Sequence, residues 1–66
     1  MITIHVNQKI MTVETDCTVE KLLEKLGYSQ RSAVWINEEQ LLLKEYSVKV
    51  LEDQDHVKIL RILGGG

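Results

Sequence analysis

Residues 18–27 read TVEKLLEKLG. Val19, Leu22, Leu23 and Leu26 fall at i, i+3, i+4 and i+7, one apolar stripe on a 3.6-residue period. Thr18 is placed to accept an orphan amide N–H as the N-cap, and Gly27 to end the helix in the left-handed conformation. Glu20 in the first turn and Lys25 in the last complement the helix dipole. No other stretch carries so clean a helical stripe. This helix must therefore lay its apolar face on a sheet.

Working outward, the sheet is legible on both sides. Ile2, Ile4 and Val6 alternate with Thr3 and His5, a half-buried strand. Asn7-Gln8 reads as a turn, and Lys9–Val13 as a second strand with β-branched Ile10, Thr12 and Val13. After the helix, Ser32–Ile36 reads as a third strand and Asn37-Glu38 as a turn. Gln40–Leu43 is a short fourth strand, Lys44–Ser47 irregular or one helical turn, and Leu51–Asp55 a polar turn. His56–Leu63 is the last strand, followed by Gly64-Gly65-Gly66. The order β-β-α-β-(β)-β with one helix predicts an α+β β-grasp. That is the ubiquitin-like architecture, a mixed four- to five-stranded sheet with the helix across one face and the first and last strands parallel at its centre. A ferredoxin-like fold needs a second long helix, which this sequence lacks.

Length and composition narrow the function. Sixty-six residues suffice for one domain, residues 1–66, with a small core. Apolar residues at 44% and charged residues at 27% make the chain globular. A net charge of −2 without a basic cluster argues against nucleic acid as a partner. Cys17 is the lone cysteine, so no internal disulfide forms, which fits a reducing compartment. Neither a signal-peptide pattern nor an apolar run of about 20 residues is present, so no membrane is expected and the cytoplasm is the expected setting.

A search for catalytic groups returns little. Cys17 precedes a helix, where a thiol can be activated, but a small partly buried residue is the simpler reading. His5 and His56 are single histidines on strands, so no metal-binding spacing exists and no metal is expected. Glu38-Glu39 and Asp53/Asp55 read as solvated turn residues. The glycine tail, residues 64–66, stands apart. Without Cβ atoms it can enter a narrow channel, and it leaves the carboxylate of Gly66 unshielded. Such a carboxylate becomes an acyl donor once adenylated, and the chain itself then needs no catalytic side chain.

The whole chain resembles the ThiS-like sulfur carriers of thiamine biosynthesis. The resemblance lies in the Thr18–Gly27 helix, Val34-x-Ile36-Asn37, the run Asp53-x-Asp55-x-Val57-x-Ile59, and the ending Ile62-Leu63-Gly64-Gly65-Gly66. It implies a carrier, not an enzyme, with no bound cofactor, whose Gly66 is the site of sulfur attachment. An E1-like adenylyltransferase (ThiF-like) would adenylate Gly66 with ATP. A sulfur donor protein would convert it to a thiocarboxylate, and a thiazole synthase (ThiG-like) would accept the sulfur. Gly64 and Gly65 would enter the partner sites. The chain departs from common family patterns at Asn37-Glu38 (often Asn-Gly), Leu42-Leu43 (often proline and a basic residue) and Asp53-Gln54-Asp55 (often Asp-Gly-Asp). Alternatives are a MoaD-like carrier for molybdopterin or another sulfur-transfer pathway, a ubiquitin-like protein modifier, and a plain binding module. Strand parity adds a candidate partner patch. If Val34, Ile36, Val57 and Ile59 face the core, then Trp35, Leu60 and Ile62 face away from it.

Overall fold

A computed structural model of the protein describes residues 1–61. Five strands and one helix follow in order: β1 (Ile2–Val6), β2 (Lys9–Val13), α1 (Val19–Leu26), β3 (Ala33–Ile36), β4 (Glu39–Gln40) and β5 (His56–Leu60), with a 3₁₀ turn at Leu43–Glu45. The strands form one mixed sheet in the order β2-β1-β5-β3-β4. β5 holds the centre, parallel to β1 and antiparallel to β3. The expected β-grasp is what the chain adopts.

The strand bounds differ in detail. β3 starts at Ala33, because Ser32 still belongs to the turn in which its N–H donates to the carbonyl of Ser29. β4 covers Glu39–Gln40 instead of Gln40–Leu43: Leu41 donates one more bond to Val34, then Leu42 leads into the 3₁₀ turn. β5 ends at Leu60, and the expected continuation through Ile62 and Leu63 lies outside the described residues.

α1 follows its sequence signals. Thr18 takes an extended conformation and its Oγ1 accepts the Lys21 N–H at 3.2 Å. Gly27 sits at φ 80° with open space where a Cβ would go, so its requirement is conformational and not steric. The remaining amides at the helix start are also taken: Val19 donates to Lys49, Glu20 to Tyr46 and Leu22 to Thr18. The segment 44–51 is thereby stitched to the helix start, with Leu51 N–H returning to the Cys17 carbonyl.

The core lies between α1 and the inner sheet face. Ile4, Val13, Val19, Leu22, Leu23 and Val34 are fully buried, with Val57 and Ile59 almost so. Leu26 is half-buried at the edge of the same cluster. Tyr46 is buried and donates its hydroxyl to the Ser32 carbonyl at 2.8 Å. No helix among the described residues is long and apolar enough to cross a membrane.

Candidate functional site: the outer sheet face and the exit of β5

Alternation along the strands decides what the outer face presents. In β5, Val57 and Ile59 are buried while His56, Lys58 and Leu60 are exposed. In β3, Val34 and Ile36 are buried while Ala33 and Trp35 are only half-buried. Register then sets the neighbours: Trp35 lies opposite Lys58, and Ala33 opposite Leu60. Trp35 and Leu60 therefore share one face at a diagonal, within reach for a large ring. The Lys58 ammonium sits 5.6 Å from the Trp35 ring, a cation–π contact at the rim of this surface. Leu60 is 48% exposed and Ile10, farther across the same sheet, 69%. Ile62 lies outside the described residues, as do Gly64, Gly65 and Gly66.

The face also holds a pair that single-residue reading of the sequence misses. His5 and His56 lie opposite each other in the parallel β1–β5 ladder, their rings stacked at 4.5 Å and 3°. The signal was present in strand parity together with the expected parallel pairing. Together with Trp35 and Lys58 they line a shallow open depression. Ring-nitrogen lone pairs lie in the ring planes, and parallel planes do not converge on one ion. Among the described residues no three His, Cys, Asp or Glu side chains cluster as metal ligands. The depression offers flat aromatic and apolar contact surface.

Cys17 is elsewhere. It is buried at the start of the helix, and burial pushes its thiol above the ordinary range, with the Lys25 charge acting against this. The helix-start amides that might have favoured a thiolate are already bonded to Lys49, Tyr46 and Thr18. Cys17 is thus a core residue.

The acidic turn needs a correction. Asp55 is buried and not solvated: its carboxylate accepts the Glu52 N–H at 2.8 Å and the Asn37 amide at 3.0 Å. Asp53, which is exposed, accepts the Thr3 N–H at 2.8 Å. Both carboxylates shape the approach to β5.

Two turn asparagines lock β5 from either side, through bonds that their reading as turn residues does not foretell. Asn37 accepts the His56 N–H at 3.0 Å through Oδ1 while its own N–H donates to the His56 carbonyl. Asn7 does the equivalent from the β1 side. Its backbone N–H donates to Val57, its Oδ1 accepts the Ile59 N–H at 2.9 Å, and its Nδ2 donates to the Ile59 carbonyl at 3.1 Å. β5 therefore leaves the sheet under tight control just before residues 62–66.

A mixed sheet of this order, crossed by one helix and ending on a clamped central strand, defines a ubiquitin-like β-grasp fold. Comparison with known proteins narrows the class: the ThiS family model matches residues 2–66, and the chain belongs to that family. Two solved structures are similar. The crystal structure of a thiamine biosynthesis protein (ThiS) from Geobacter metallireducens has a TM-score of 0.81 and 30% identity, over 98% of this chain and all of that one. An NMR solution structure of a thiamine biosynthesis protein from the same organism has a TM-score of 0.77 and 29% identity, over 98% of this chain and 88% of that one. No curated protein matches.

Proposed function

We propose that this protein carries sulfur for thiazole formation in thiamine biosynthesis, as a thiocarboxylate on Gly66. The observation that carries the reading is the ThiS family match, which runs through the terminal glycines. The solved neighbours, named as thiamine biosynthesis proteins, support it. A carboxylate oxygen of Gly66 attacks the α-phosphorus of ATP in an E1-like partner. The bond to pyrophosphate breaks, and an acyl-adenylate forms. A sulfide-level nucleophile from a sulfur donor protein then attacks the acyl carbon. The C–O bond to AMP breaks, and sulfur remains on the carbonyl for delivery to a thiazole synthase. The proposed setting is the cytoplasm, where ATP is available and the lone cysteine stays reduced.

The outer face supplies the proposed docking surface. Trp35 and Leu60 combine apolar area with a position on or beside the strand that leads to the tail. The test is ATP–pyrophosphate exchange with the ThiF-like enzyme of the same cell. Removing Gly65 and Gly66 should abolish exchange and leave the melting temperature unchanged. Trp35→Ala and Ile62→Ser should weaken binding by at least about tenfold, or ~1.4 kcal/mol, with the fold intact. Undiminished exchange by the truncated chain would falsify the carrier reading. The intact mass of protein from its own cell should show one oxygen replaced by sulfur, whereas lysine-linked conjugates would identify a modifier instead.

A further inference from the structure

β1 turns away from β5 at Asn7-Gln8, two left-handed residues with φ of 48° and 72°. The backbone ladder on that side ends with the Asn7 N–H bonded to Val57. The Asn7 side chain then acts in place of the next strand residue. Its amide presents one acceptor and one donor to the N–H and carbonyl of Ile59, at 2.9 and 3.1 Å. The second Nδ2 proton reaches the Tyr28 hydroxyl at 3.3 Å. Tyr28 is itself held just past the helix, its N–H bonded to the Leu23 carbonyl. Across its ring lies the Arg61 guanidinium, 4.7 Å from the centroid. Arg61 has the inward parity of Val57 and Ile59, and a charged residue at that position has to leave the core through its edge. The Tyr28 ring is where it does so.

These contacts form one chain from the first hairpin, through the end of α1, to the last described residue. Their common effect is to fix where β5 ends and in which direction residue 61 points. Five residues separate Arg61 from the end of Gly66, a reach of at most about 18 Å. With so short a tether, an error in direction at Arg61 becomes an error in where the carboxylate arrives. Reaction rates in enzyme sites fall steeply with such misplacement.

We infer that Asn7, Tyr28 and Arg61 are positioning residues that aim the C-terminal carboxylate into the adenylating partner, a role distinct from docking, although Asn7 also borders the outer-face depression. This rests on the carrier reading above. The two predict different kinetics: a docking residue changes KM, and an aiming residue changes kcat.

Asn7→Gly suits the test, because glycine accepts the left-handed backbone and removes only the side chain. Expected are faster hydrogen exchange at the Ile59 amide, a fall in kcat of about tenfold, and a KM within about threefold of wild type. Tyr28→Leu should lower kcat in the same way, and Tyr28→Phe, which keeps the ring beneath Arg61, should do so less. Asp16→Gly, a left-handed turn residue before α1, is the control and should change neither constant. Wild-type kcat in Asn7→Gly, a loss confined to KM, or unchanged exchange at Ile59 would each overturn the inference. The chain lacking Gly65 and Gly66 separates the two ideas. If it is adenylated normally, the carrier reading fails. If it is inert while Asn7→Gly turns over normally, only the aiming role fails.

Discussion

Gln54 sits at φ 70° and Glu38 at φ 73°, where an L side chain crowds its own backbone. Glycine, lacking a Cβ, would take either position without that crowding. The same strain is milder at Asn7, Asp16 and Asn37, whose short polar side chains tolerate this region. Left-handed geometry costs a residue such as Gln roughly 1–2 kcal/mol, and glycine's extra freedom in the unfolded chain returns some of that. Gln54→Gly and Glu38→Gly should therefore each stabilise the protein by roughly 0.5–1 kcal/mol, raising Tm by about 3–6 °C. A thermal melt checks this, and a lower Tm in both variants would contradict it. The turns themselves were legible as polar breaks. The burial of Asp55 was not, because a turn aspartate looks the same in sequence whether it meets water or the amide of Asn37.

At the scale of elements, α1 was the most legible, because cap, stripe and stop signal agree. Leu23 lies fully buried on its inner face. Truncating such a residue removes apolar contact and leaves a cavity, at about 2–5 kcal/mol. A domain of 66 residues holds only roughly 3–10 kcal/mol in all. Leu23→Ala should thus shift the urea midpoint far down or leave the chain largely unfolded at 37 °C, read by far-UV circular dichroism. A midpoint near wild type would contradict this packing. Less legible were β4 and the start of β3, where few residues pair and turn bonds compete with the ladder. The stacked histidines required the register between β1 and β5, which alternation alone does not supply. Asn7 and Asn37 read as turn formers, and their bonds to Ile59 and His56 depend on strands remote in sequence.

At the scale of the whole molecule, two buried groups among the described residues, Cys17 and Tyr46, tie stability to alkaline pH. Burial pushes the Cys17 thiol and the Tyr46 hydroxyl above their ordinary values of 9.0 and 10.0. The unfolded chain therefore releases these protons first as pH rises. Stability from both groups is complete below about pH 9 and is lost progressively above it, since the folded state then holds more protons than the unfolded one. Urea midpoints should be level through neutral pH and fall from about pH 9 upward. Cys17→Ala should remove the early stage of that fall and leave the stage due to Tyr46. A midpoint that stayed constant to about pH 11 would contradict the burial of both groups.

β1 and β5 run side by side in the same direction, and the tail continues from β5. Suppose a partner grips the residues beyond Arg61 and withdraws while the start of the chain is held. The load then runs along the two strands, not across them. The bonds from His5 to Asp55, from Asn7 to Val57, and from the Asn7 side chain to Ile59 are strained together in shear. They do not break in succession, as in the peeling of a hairpin. Resistance to a pull is set by the unfolding barrier and not by the folding free energy. Loading in shear, with several bonds sharing the force, therefore gives this topology more resistance to a pull along β5 than its folding free energy alone implies.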